Sequence, residues 1–226
     1  MAGGLSWKTP EFRRTIGSVS IDSWPAEPAD DRDKRPWVYL RLIHEGLQID
    51  ATELRDVIQR PSNDANLRSV VFEPGPQQEE YFGELYVRLH NYVAVVATLI
   101  AVSRIYVRKN TGAAFRALQQ ERVAALGESV PAQILQGLRN YVVHYNVPYM
   151  EMTVEQSVSP YQMSSILHIS SKSLLDCRGW KPAAERYLQE VPMVNLGRIV
   201  DDYTDLVNEY YSWFWAAVGN LDKDGS

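Results

Sequence analysis

Between Gln77 and about Asn110, Tyr81, Leu85, Leu89, Tyr92, Val96 and Ile100 recur at spacings of three or four, the repeat of one helix face. Thr111-Gly112 ends that pattern. A second helix is expected from about Ala113 to Leu126, stopping at Gly127. Ser129 then caps a third, with Pro131 tolerated in its first turn and Pro148 bringing it to an end. In the C-terminal segment Leu196, Ile199, Tyr203, Leu206, Tyr210 and Trp213 keep a seam that Val200, Val207, Phe214 and Val218 widen. Asp201, Asp202, Asp205 and Glu209 fall mostly off it. So long an apolar face predicts a bundle in which this helix packs on the 77–110 helix.

Met150 to Glu155 alternates apolar and polar residues, and Gln162 to Ile169 does so in part, with Ser157-Val158-Ser159-Pro160 between them. That is a β-hairpin, which must lean on the helices to be stable. Short helices are expected at about Ser171 to Cys177 and Pro182 to Gln189. Upstream, Asp50-Ala51-Thr52-Glu53 has the form of an N-cap with its reciprocal glutamate, and Pro61 closes that helix after Arg60. Trp37 to His44 fits a strand or a short helix, and Pro61 to Pro76 is a turn-rich loop.

Residues 1–36 read as an irregular N-terminal extension, broken by Gly3-Gly4 and four prolines, with a solvated charge run from Ala29 to Arg35. Trp7, Trp24 and Trp37 are expected to hold part of it against the body. The fold class is therefore all-α: a single helical domain over 37–220, a small hairpin insertion at about 150–169, and a flexible tail at 221–226.

With 226 residues, 45% of them hydrophobic, the chain can bury one substantial core. Five rings crowd its end, Tyr210, Tyr211, Trp213, Phe214 and Trp215, and some are expected on an interface because one core cannot face them all. Net charge is −5, so contact with nucleic acid or anionic lipid needs a local patch. Arg104, Arg108, Lys109 and Arg116, with Arg122, form one such stretch, opposed there only by Glu121, and are candidate RNA-backbone contacts.

The lone Cys177 excludes an internal disulfide and fits a small buried hydrophobe in a reducing compartment. Tyr92 to Val102 is the most apolar run, about half of the roughly 20 residues that cross a bilayer, and is expected to be a buried core helix. No secretory pattern occurs from Met1 to Asp30, so a cytoplasmic protein with no membrane contact is expected. His44, His90 and His168 lack metal-ligand spacing, and Asp222-Lys223-Asp224-Gly225 lacks the glutamate that completes a calcium loop. With no Gly-rich phosphate loop either, no metal or cofactor is expected.

The chemistry concentrates in Arg139-Asn140-Tyr141-Val142-Val143-His144. Arginine holds phosphate bidentately and imidazole exchanges protons near neutrality. Asn140 and His144, four apart, share a helix face, and Gln136 extends that stripe one turn earlier. Arg139 lies about 140° around from His144, and its long side chain can swing back toward the same groove.

This Arg-Asn-x3-His element on a bundle helix resembles that of the HEPN family, over roughly residues 77–220. The resemblance implies two protomers pairing their Arg/His elements into one metal-independent site that cuts RNA through attack of the 2′-OH. Arg139 would neutralise the scissile phosphate, His144 would act as general acid or base, and Asn140 would orient either. A toxin–antitoxin or antiviral role, with an antitoxin or defence partner, is implied too. The hairpin and residues 1–60 depart from a minimal HEPN domain. Two other readings stay open: a non-catalytic homodimeric binding module, and a small-molecule or nucleotide pocket between the helices.

Overall fold

The seam of the C-terminal segment becomes a long helix onto which helices from the rest of the chain pack. A computed structural model describes residues 31–63, 73, 75–144, 148–158 and 161–224. In chain order these form α1 (Asp31–Asn63), α2 (Pro76–Asn110), α3 (Ala113–Glu128), α4 (Val130–His144), β1 (Met150–Val158), β2 (Tyr161–Ser170), α5 (Ser171–Leu175), α6 (Pro182–Glu190), β3 (Met193–Asn195) and α7 (Leu196–Asp224). The protein is mostly helical with one small antiparallel sheet.

α1 differs most from expectation. It takes in residues 31–36 of the expected extension, runs through Trp37–His44, and passes the helix start expected at Asp50. Leu40, Leu47, Ala51, Leu54, Val57 and Ile58 keep one buried face across Asp50. Packing along that continuous face outweighs the local capping pattern. Pro61 does not stop the helix but lies within its last turn. A proline there leaves the carbonyl four residues back without its helix donor. That carbonyl belongs to Val57, and the Tyr81 hydroxyl of α2 donates to it at 2.8 Å. Residues 1–30, with Trp7 and Trp24, lie outside the described residues, as does most of the Pro61–Pro76 loop.

α2 runs antiparallel to α1. Arg60 clamps Glu84 through two hydrogen bonds of 2.7 and 2.9 Å, and Arg88 pairs with Glu53. Tyr81, Leu85, Leu89, Tyr92 and Val96 are buried as their spacing predicts. Ile100 is not: it is 38% exposed, and the buried stripe turns through Leu99, Ser103 and Tyr106. Two successive steps of four overshoot a 3.6-residue turn, so the stripe steps by three to stay in phase. The Tyr92–Val102 run is therefore buried on one side only, with Asn91, Ala94, Thr98 and Ala101 exposed on the other. α2 is long and apolar enough to cross a membrane, and 33% of its most apolar window is buried.

α7 meets α2 through paired hydroxyls, Tyr92 with Thr204 at 2.9 Å and Ser103 with Tyr211. Its ring cluster is not surface material. Tyr210, Tyr211, Phe214 and Trp215 are all buried, and Trp213 is half-buried beneath the Arg122 guanidinium, 4.4 Å from its ring. Neighbours on three helices make this possible: His44 of α1 stacks on Tyr211, Tyr106 of α2 meets Phe214, and Phe115 of α3 stacks on Trp213. α7 also continues to Asp224, through most of the segment expected as a flexible tail.

The hairpin forms as predicted, with Met152 opposite Leu167 and Met150 opposite Ile169. The unforeseen β3 adds to the other edge of β2, Val194 facing Ile169. Beyond the end of β3 that edge would lie open at Ser165. Gln59 of α1 fills it, donating to the Ser165 carbonyl at 2.9 Å and accepting from its N–H at 3.3 Å.

Candidate functional site

α4 carries the Arg139-Asn140-x3-His144 element, and its sequence explains how it is held. α3 continues through Gly127, where a stop was expected, and the break falls at Ser129. The Ser129 hydroxyl donates to the Leu126 carbonyl at 2.7 Å and accepts from the Ala132 N–H at 3.4 Å, so one side chain closes α3 and opens α4. Ile134, Leu135, Leu138 and Tyr141 form the buried face. Gln133, only 7% exposed, ties three helices together. Its amide nitrogen donates to the Gly127 and Glu128 carbonyls at the end of α3, and its oxygen accepts from the Ala183 and Ala184 N–H groups at the start of α6.

Gln136, Arg139, Asn140 and His144 are all exposed. Gln136, Asn140 and His144 follow one stripe along the helix, with Arg139 beside it. α4 ends at His144, and the three residues before Pro148 lie outside the described residues.

Arg139 and Gln136 also line a cleft of about 890 Å³ enclosed by α2, α3, α4 and α7. Its walls include Val96, Leu99, Val107, Val123, Leu135 and Val207. Around them stand Arg104 and Arg108 of α2, Arg116 of α3, Arg139 of α4 and Lys181 just before α6, opposed among the lining residues by the single carboxylate of Glu128. None of these five cations forms an ion pair with a described residue. Cations left unneutralised around low-dielectric walls focus a positive potential there, although the whole chain is acidic.

The cleft thus gathers Arg104, Arg108 and Arg116 from the predicted basic stretch with Arg139 from the predicted catalytic element. Lys109 is exposed but does not line it, and Arg122 is occupied over Trp213. Asn140 and His144 continue the Gln136 stripe beyond the lining. Sequence reasoning missed Lys181, isolated in a loop far from the other cations, and Tyr203, which reads as one more member of the apolar seam.

The remaining candidates have structural settings. His44 lies against Tyr211, ring centroids 4.4 Å apart, and donates to the Asn208 side-chain oxygen at 3.4 Å. Burial pushes its pKa down to about 4, the hydrogen bond to Asn208 opposing that shift. Cys177 is buried. Among the described residues no group of three His, Cys, Asp or Glu side chains is close enough to share a metal ion. Comparison with protein-family models, curated proteins and solved structures returns no match to this chain.

Proposed function

We propose that this chain is an HEPN-like protein that cleaves RNA as a homodimer, without a metal ion. What supports the reading is one feature: Gln136, Asn140 and His144 form an exposed stripe on a bundle helix whose neighbouring Arg139 lines a basic cleft. A single strand bound along Arg104, Arg108 and Arg116 would lead its phosphates toward that stripe. In the reaction a 2′-oxygen attacks the adjacent phosphorus, the bond to the 5′-oxygen breaks, and a 2′,3′-cyclic phosphate and a 5′-hydroxyl are left. Arg139 neutralises charge growing on the phosphoryl oxygens, and Asn140 orients the phosphate. One His144 takes the 2′-hydroxyl proton while its counterpart in the second protomer donates to the leaving oxygen. A cytoplasmic toxin or antiviral role, held in check by an antitoxin or defence partner, belongs to the same proposal.

Purified protein incubated with total RNA in EDTA tests it, alongside His144→Ala and Arg139→Ala. The expected result is cyclic-phosphate ends from the wild type and a loss of about a hundredfold or more in each variant. Equal cleavage by all three, or by none, rejects it.

A non-catalytic homodimeric binding module of the same fold is the second reading. It is favoured by one observation: among the described residues none hydrogen-bonds to the His144 ring, whereas catalytic bases are usually oriented by a third group. Light scattering showing a dimer, with RNA bound but uncut, selects it.

A further inference from the structure

The cleft has a chemistry that RNA does not use. Phosphates need only its cationic rim, yet the walls beneath are hydrocarbon: Val93, Val96 and Leu99 of α2, Leu135 of α4 and Val207 of α7. Polar side chains deeper in the lining are already committed. Ser103 donates to the Leu99 carbonyl and meets Tyr211, and Gln119 donates to the Tyr210 hydroxyl at 3.0 Å. Gln133 spends its amide on α3 and α6. Only the exposed Gln120 and Gln136 at its edge remain to read the donor and acceptor edge of a base, and the deeper wall offers no free amide.

One polar group there is uncommitted. Tyr203 lines the cleft at 3% exposure, and its hydroxyl has no hydrogen-bond partner among the described residues. Opening onto the cleft, that phenol is free to donate to or accept from a ligand there. The volume of about 890 Å³ falls within the range of small-molecule sites.

We infer that this cleft binds an amphipathic anion, a single molecule with an extended hydrocarbon body and one phosphate or carboxylate head. The body lies along the valine and leucine walls of α2, α4 and α7. The head sits among Arg104, Arg116, Arg139 and Lys181, where several cations share one anionic group. Tyr203 hydrogen-bonds to a polar atom of the ligand. The site shares Arg104, Arg116 and Arg139 with the proposed RNA path, whereas Asn140 and His144 lie beyond its lining.

Isothermal titration with dodecyl phosphate, kept below its micelle concentration, tests this on the full chain. Three further probes divide the contributions: dodecanol carries the body alone, inorganic phosphate the head alone, and adenosine monophosphate a head on a polar ring. Anionic phospholipid vesicles separate a free ligand from a membrane surface. Dodecyl phosphate should bind at least about tenfold more tightly than each of the three soluble probes, a difference of about 1.4 kcal/mol. The pair Arg104→Glu with Arg116→Glu, both exposed, should weaken it about tenfold or more, and so should Ala97→Phe, which fills a wall. Ala124→Phe, on the exposed side of α3, serves if Ala97→Phe fails to fold. His144→Ala should bind as the wild type does, even if it abolishes RNA cleavage. Wild-type affinity in the rim and wall variants would overturn the inference, as would adenosine monophosphate binding as tightly as dodecyl phosphate, or capture by vesicles alone.

Discussion

Gly137 of α4 lies directly beneath the indole of Trp180. A β-carbon built at Gly137 would stand 2.0 Å from Cζ3 of that ring and 2.3 Å from Cε3. The ring has little freedom to withdraw, since its Nε1 donates to the Leu174 carbonyl at 2.9 Å. The contact holds the loop after α5 against the helix that carries Arg139 and His144.

Gly137→Ala therefore sets two effects against each other. Alanine favours a helix interior over glycine by about 1 kcal/mol, whereas forcing a rigid ring aside costs about 1–3 kcal/mol. The clash should win, lowering the urea midpoint. The sign should reverse in a Trp180→Ala background, where only the helix preference is left. A Gly137→Ala change that stabilises both backgrounds would show that the indole yields.

How much of this was legible in the sequence depends on what each residue's role required. α2, α7 and the hairpin were, because their periods of 3.6 and 2 persist long enough to be read. α1 was not: Asp50 and Glu53 form a plausible cap, and nothing local reveals that Leu47, Ala51 and Leu54 share one buried face. β3 has three residues, too few for a period. Arg139, Asn140 and His144 could be picked out by type and spacing, as could most of the basic stretch. The cleft could not. Its walls carry the same apolar pattern as the core, and Lys181 joins the other cations only through the packing of α6 on α4.

Gln133 acts as a cap for a helix it does not belong to. The N-cap position of α6, Lys181, supplies no side-chain acceptor, and the Gln133 oxygen serves Ala183 and Ala184 at 3.0 and 3.2 Å. Gln133→Leu should cost about 1–3 kcal/mol, because it leaves buried N–H groups without a partner. Gln133→Glu keeps the acceptor and should recover part of that loss in the same urea series. Equal destabilisation by both would assign the role to the donating nitrogen instead.

His44 makes stability depend on pH. Its folded pKa lies at about 4, below its ordinary 6.5, chiefly because burial disfavours the imidazolium. Between those values the unfolded chain takes up a proton that the folded chain refuses, so stability falls as the pH drops from 6.5 to 4 and this contribution levels off below. The full effect is about 3 kcal/mol at most. Chemical denaturation of wild type and His44→Gln at pH 7.5 and 5.5 isolates it, since other titrating groups cancel in the difference. The wild type should lose more stability than the variant on acidification. Parallel losses would mean that His44 charges freely in the folded state.

The arrangement of the cations makes a salt-dependence prediction for RNA. If a strand follows the cleft rim, Arg104 and Arg116 each neutralise a phosphate, and Lys109, which does not line the cleft, does not. Each lost phosphate contact on a single strand lowers the slope of log K against log salt by about 0.7. Arg104→Ala with Arg116→Ala should therefore reduce the slope by about 1.4, while Lys109→Ala leaves it nearly unchanged. Fluorescence anisotropy with a labelled oligoribonucleotide across 50–200 mM salt measures this directly. A slope that falls equally for Lys109→Ala would mean that RNA sees only the general charge of the α2 terminus, and the path from the cleft toward His144 would lose its support.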